Sequence, residues 1–304
     1  MFVIFGAAGN VGKASAAALR RAGRTVRAVV RNEKQGEFLA GIGCEIAVAD
    51  LFDTAAVARA IEGAHAVQLL CPVPHAHTDP ADAMRHMIDA SVAALRAAPP
   101  QHVLALSDYG AEHESGTGIT TLFHYLETQL QTVDARLTFL RAAEHMHNWA
   151  RTLPTALACG VLPSLHHPLS KRFPTVAAQD VGLLAADLLL EDSARQGSPR
   201  VVSIEGDERV SALDVARTIS DLAGREVAAR EVPRDQWNAM LQGAGLGEHY
   251  ARLITDLYDA HNAGRIDVQA QRSERRFGTT KLAEVFAAIL PRVAAAARAA
   301  EAAR

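Results

Sequence analysis

The stretch Phe2-Val3-Ile4-Phe5-Gly6-Ala7-Ala8-Gly9-Asn10-Val11-Gly12 decides the fold. Four apolar residues in a row read as a buried strand, and three glycines follow at the spacing G-x-x-G-x-x-G. From Gly12 to Arg21 the pattern is helical, and Gly23 closes it. Gly6 permits a tight turn out of the strand, Gly9 lets the backbone approach a pyrophosphate, and Gly12 lets the helix pack against the sheet. The helix start offers unpaired N–H groups and the positive end of a dipole to phosphate. The strand–turn–helix setting separates this run from an ordinary glycine turn. Ala8, Asn10 and Val11, the residues between and beside the glycines, are expected to follow a dinucleotide with them.

Composition narrows what surrounds that turn. The 304 residues are 49% hydrophobic and 21% charged, the balance of a globular chain with a large core. A net charge of −3 gives no electrostatic case for nucleic acid or an anionic membrane. No apolar run reaches transmembrane length, and the chain enters its first strand without a basic leader, so no secretory signal is expected. Cys44, Cys71 and Cys159 are few and far apart and read as reduced thiols of a cytoplasmic protein.

Strand patterns recur at Thr25–Val30, Cys44–Ala49, Ala66–Cys71, His102–Leu106 and Leu137–Leu140. Helical patterns lie between them, at Lys34–Ala40, Thr54–Glu62, Pro80–Ala97 and Leu122–Val133. This alternation implies right-handed crossovers, so the fold class is α/β, a Rossmann-type doubly wound parallel sheet. Past Arg141 the alternation weakens. Glu144–Cys159 reads as a helix kinked at Pro154, and Gly160–Phe173 as a loop. Ala178–Leu190, Ser211–Ala223, Glu248–Asn262 and Thr279–Ile289 read as helices, with Val201–Ile204 a short strand and Pro291 an interruption. The expected division is a dinucleotide-binding domain over residues 1–150, with return segments from about 176–206, and a smaller, mainly helical C-terminal lobe over 151–304. Ligand belongs between the lobes, outside the carboxyl ends of the strands.

The second strand ends in Arg31-Asn32, with Lys34 close behind. An acidic residue here would accept from a ribose hydroxyl, whereas an arginine accommodates a 2′-phosphate, so NADP(H) is expected in preference to NAD(H). Glu33, one residue off, argues for NAD, and a solvated loop charge is the plain alternative for Arg31. Asp50-Leu51 follows the third strand, and its carboxylate suits either the adenine amino group or a turn. Leu70-Cys71-Pro72 forms a stiff loop at the cofactor edge, and Ser107-Asp108-Tyr109-Gly110 marks the nicotinamide end. Among the thirteen histidines, His145-x-His147 on a helix would point about 200° apart and His166-His167 are adjacent, so a metal site is not expected.

G-A-A-G-N-V-G, V-R-N, A-D-L and the run Thr138 to Trp149 resemble the NmrA-like branch of atypical short-chain dehydrogenases. Val176–Gly182 and the segment from Glu205-Gly206 to Ala223-Gly224 resemble it too. The resemblance implies a Rossmann domain with a smaller C-terminal lobe. It also implies one of three activities: NADPH-dependent quinone reduction, another reduction, or NADPH sensing with little or no catalysis.

One departure matters. Short-chain dehydrogenases use Tyr-x-x-x-Lys, the lysine lowering the pKa of a proton-donating tyrosine. Four residues after Tyr109, Tyr125, Tyr250 and Tyr258 stand His113, Gln129, Ile254 and Asn262. Ser107, Tyr109 and His124 remain near the expected site. His124 is the candidate proton relay or ribose contact, with a helix-terminal histidine as the plain alternative. Glu144 and Asn148, four apart, are expected to share a helix face at the lobe interface. The favoured function is reduction of a quinone or similar small conjugated acceptor, because such an acceptor takes hydride without strong prior protonation. The alternative is an NADP(H)-sensing regulator that binds a protein partner. Homodimerisation is left open.

Overall fold

The computed structural model describes residues 1–191 and 199–302, with residues 294–302 as helix backbone alone. The first half alternates strictly: β1 (Phe2–Ile4), α1 (Asn10–Arg21), β2 (Val26–Val30), α2 (Glu37–Gly41), β3 (Glu45–Val48), α3 (Thr54–Ile61), β4 (Ala66–Leu69), α4 (Pro80–Ala97), β5 (His102–Asp108), α5 (Thr120–Leu130) and β6 (Arg136–Ala142). The second half runs β7 (Glu144–His145), α6 (Leu153–Cys159), β8 (Val161–Ser164), β9 (Thr175–Val176), α7 (Ala178–Leu190) and β10 (Arg200–Gly206). It continues through α8 (Ala212–Ala223), β11 (Ala228–Glu231), α9 (Trp237–Gly243), α10 (Glu248–Asn262), β12 (Glu274–Gly278) and α11 (Leu282–Ala302).

The main sheet has eight parallel strands in the order β12-β10-β6-β5-β4-β1-β2-β3. The order reverses between β1, which pairs with β2 through Val3↔Arg27, and β4, which pairs with β1 through Val3↔Val67. Successive residues of β1 serve opposite faces. Phe2 and Ile4 join the core under α1 and α7, while Val3 and Phe5 join the core under α3, α4 and α5. Burial on both faces is what near-continuous apolar strands require. A third core, around Trp149, Leu162, Phe173 and Phe286, holds the lobe built from α6, α8 and α11. A fourth, around Trp237, Tyr250 and Ile254, joins α9 to α10.

Several expectations are corrected. Glu144–Cys159 is not one helix. Glu144–His145 is a strand paired with Thr175–Val176, Met146–Arg151 is a 3₁₀ turn, and α6 begins only at Leu153. Pro154 therefore stands in the first turn of a helix, where its missing N–H costs nothing, and causes no kink. Residues 160–173 are not all loop, because Val161–Ser164 pairs with Ala228–Glu231. Pro291 does not interrupt α11, which is held on both sides of it by Phe286, Leu290 and Val293 in the lobe core. Glu274–Gly278, for which no strand was expected, closes the sheet edge against β10. Within the expected return segment, residues 192–198 lie outside the described residues, as do residues 303–304.

Candidate active site

The glycine turn is built as its spacing dictates. Gly6 has φ of 67°, the left-handed region that glycine enters freely, and a Cβ there would stand 2.7 Å from Leu70 Cδ2. A Cβ on Gly12 would meet the Gly6 carbonyl oxygen at 2.3 Å, so the helix can start this close to the turn only without a side chain. Gly9, exposed, caps α1 with no side-chain hydrogen bond, and no acidic residue occupies the first turn. Among the described residues the N–H groups of Asn10, Val11 and Gly12 therefore meet no side-chain acceptor. These residues fit a pyrophosphate: a turn with no Cβ in the way, and donors without an internal partner.

A cavity of about 590 Å³ opens from this turn. Val11 lines it from α1, Val181 from α7, and Leu70 and Pro72 from the end of β4. Leu106, Ser107 and Asp108 line it from β5 and Ala142 from β6, while Tyr250, Ile254 and Tyr258 close it from α10. It thus sits outside the carboxyl ends of the strands beside the switch point, where ligands of such sheets bind. Phe123, Trp149, Tyr250 and Tyr258 make much of its wall aromatic. Trp149 belongs both to that wall and to the lobe core.

The expected site residues separate here. Leu70 and Pro72 face the cavity, but the Cys71 thiol turns into the core, where burial raises it to about 12 despite a hydrogen bond with Ser91. Ser107 lies on the wall, its hydroxyl donated to Glu127 Oε1 at 2.6 Å. Glu127 in turn grips Arg141 through two hydrogen bonds of 2.9 and 2.7 Å. Tyr109 does not reach the cavity. It is 2% exposed in the α1–α7 core, and burial pushes its phenol up, as does the charge of Glu205. His124 does not line the cavity either. Its Nδ1–H donates to the Ala111 carbonyl at 2.9 Å, and Nε2 lies 3.5 Å from Thr128 Oγ1, so its ring serves the helix start.

At the outer end of β2, Arg31 and Lys34 are exposed, and the Arg31 backbone N–H bonds to the Gln35 side chain. Asp50 Oδ1 accepts from the Phe52 N–H at 3.0 Å, the turn reading of that residue, with Leu51 half-buried beside it. His75 lines the cavity, whereas His77 stacks on Phe52 at 5.3 Å between centroids. Among the described residues no group of three His, Cys, Asp or Glu side chains could hold a metal ion.

Sequence reasoning undervalued a different set. Asp108, Glu144, His166, Tyr258 and His261 converge on the cavity from β5, β7, the segment after β8, and α10. His166 Nε2 is 3.0 Å from Glu144 Oε2, and the Tyr258 hydroxyl donates to Glu144 Oε1 at 3.3 Å. Glu144 and Asn148 both line the cavity, though on a strand and a 3₁₀ turn rather than on one helix face.

The turn, the sheet order and the cavity together define an α/β protein with a dinucleotide-type site at its switch point. The chain belongs to the NmrA-like family, whose model matches residues 1–284. It is 22% identical to an NAD(P)H azoreductase of Xenophilus azovorans, over 85% of this chain and 86% of that protein. It is 23% identical to quinone oxidoreductase 2 of Escherichia coli (strain K12), over 93% of this chain and 96% of that one. Its fold is similar to that of triphenylmethane reductase from Citrobacter sp., with a TM-score of 0.78 at 20% identity, covering 95% of this chain and 99% of the other. It is also similar to the NADPH complex of an NADPH-dependent quinone oxidoreductase from Escherichia coli, with a TM-score of 0.77 at 21% identity and the same coverage. No helix among the described residues is long and apolar enough to cross a membrane.

Proposed function

We propose that this chain is an NADPH-dependent reductase of a quinone or a similar small conjugated acceptor. The observation that carries the reading is the continuity of the glycine turn with the cavity, through Val11 at the start of α1. The N–H groups of Ala8, Asn10, Val11 and Gly12 hold the pyrophosphate, and Gly6 and Gly9 keep its approach open. Arg31 and Lys34 take the 2′-phosphate, Leu51 borders the adenine, and Asp50 shapes the turn beneath it. NADPH bound in this way supplies a hydride at the cavity. The aromatic wall accepts a planar molecule, and 590 Å³ is an ordinary volume for a small-ligand site. The names of the similar azoreductase and quinone oxidoreductase support the same chemistry.

The missing Tyr-x-x-x-Lys pair suits such an acceptor, since hydride addition to a quinone yields a stabilised phenolate-like anion. The unpaired thiols Cys44, Cys71 and Cys159 suit a reducing, cytoplasmic compartment. NADPH oxidation by the purified protein over a panel of quinones, enones, imines and dyes tests the reading. Robust turnover of a quinone is expected. Silence across the panel, with tight NADPH binding, contradicts the reductase and favours a sensor.

A further inference from the structure

Asp108 ends β5 on the cavity wall, half-buried, and its carboxyl has no side-chain hydrogen-bond or ion-pair partner among the described residues. Glu144 faces the same cavity but is braced. His166 holds one carboxyl oxygen and Tyr258 the other, at 3.0 and 3.3 Å. His166 cannot turn away, because its ring stacks on Phe173 with centroids 3.6 Å apart and planes 13° from parallel. Two carboxyl groups on one cavity, one braced by an imidazole and a phenol and the other free of side-chain partners, form the arrangement that divides acid from base.

We propose that Asp108 is the proton donor to the reduced acceptor, and that Glu144, held as a carboxylate by His166 and Tyr258, is the positioning residue that keeps Asp108 protonated. This inference rests on the reductase reading above. Burial first, and then the Glu144 charge, push the Asp108 carboxyl up to about 7, against the Tyr109 N–H. Burial alone would raise Glu144 too, but the imidazole of His166 and the Tyr258 hydroxyl hold it below the usual carboxylate range. Besides His166 and Tyr258, the other ionisable groups on the cavity are His75, His145, Arg151, Tyr250 and His261. Burial brings His145 and His261 down to about 4, so both stay neutral while Asp108 titrates. Behind β5, Glu127 and Arg141 neutralise each other.

The proton balance is simple. Hydride addition to a neutral quinone gives the hydroquinone monoanion. The O–H bond of the Asp108 carboxyl breaks, a new O–H bond forms on the anion, and solvent reprotonates the Asp108 carboxylate. A triarylmethyl dye cation becomes neutral on taking hydride and needs no proton. The two acceptors therefore separate proton delivery from hydride delivery.

The experiment compares steady-state turnover of a quinone and of a triarylmethyl cation, with saturating NADPH, over roughly pH 5 to 9. In Asp108→Asn the quinone-to-dye ratio of kcat falls by about ten- to a hundredfold. The wild-type ratio falls as pH rises through about 7, the ratio in Asp108→Asn does not, and Glu144→Gln moves the fall to lower pH. Urea unfolding of the cofactor-free protein gives a second readout. A carboxyl raised in the folded state contributes stability that is full below its unfolded pKa and lost as pH rises through about 7, and Asp108→Asn lacks this component. An unchanged ratio and pH profile in Asp108→Asn overturns the assignment and leaves the reductase reading standing. Parallel unfolding profiles of the two proteins overturn it as well. No turnover of either acceptor by the wild type overturns both.

Discussion

At the end of β2, Arg31 presents an exposed guanidinium beside an exposed Lys34, the pair proposed above to take the 2′-phosphate. A charge-assisted contact to a phosphate contributes about 1.5–3 kcal/mol, so Arg31→Ala costs on the order of ten- to a hundredfold in NADPH affinity and leaves NADH affinity nearly unchanged. Isothermal calorimetry with both cofactors checks this, and equal weakening of the two makes Arg31 structural. The glycines of the turn were legible at this scale because each answers to a local backbone demand. The residues that line the cavity were not. His124 and Tyr109 stand at the right places in the chain, but the Ala111 carbonyl takes the one ring and the core takes the other. β5 runs to Asp108, two residues past the end its apolar run suggests, and that extension carries Asp108 to the wall. Glu144, His166 and Tyr258 are far apart in sequence, and no spacing rule joins them.

The helices that frame the turn hold each other by the absence of a side chain. α1 packs closely on α7. A Cβ on Gly182 would stand 2.3 Å from the Val11 carbonyl oxygen and 2.6 Å from Ala14 Cβ. Gly182→Ala must therefore push α7 off α1, and overpacking of this kind costs about 1–3 kcal/mol. Val11 and Val181 both line the cavity, so the same substitution also weakens NADPH binding, while Gly224→Ala, at a helix end where a Cβ meets open space, changes stability without touching the site. Chemical denaturation and NADPH titration of both variants check the pair of outcomes, and a Gly182→Ala protein with native stability and affinity contradicts the packing argument. Elements were legible where period and caps agreed, as in α4, opened by Asp79 and Pro80. They were misread where pairing overrode local pattern. Glu144–His145 looks helical alone and becomes a strand because Thr175–Val176 returns beside it.

Across the whole molecule, the sheet supplies one wall of the cavity and the C-terminal elements the other. β10 and β12, although they follow the lobe's first helix in the chain, return to the main sheet and tie the two parts together. The fold class followed from strand–helix alternation, but the return of Glu274–Gly278 did not, because that strand is polar and mostly exposed. In the proposed function, hydride passes from NADPH to a conjugated acceptor inside this cavity. Single-turnover mixing tests it most directly: protein preloaded with one equivalent of NADPH is mixed with a quinone, and nicotinamide fluorescence is followed. Loss of reduced nicotinamide is expected in one-to-one correspondence with hydroquinone formed. The rate is expected to saturate with quinone and, at low quinone, to fall about tenfold or more in Thr155→Trp, which adds bulk at an exposed position of the cavity wall without touching the glycine turn. Tightly bound NADPH that persists in the presence of quinone, or a Thr155→Trp variant that reacts as fast as the wild type, would contradict it.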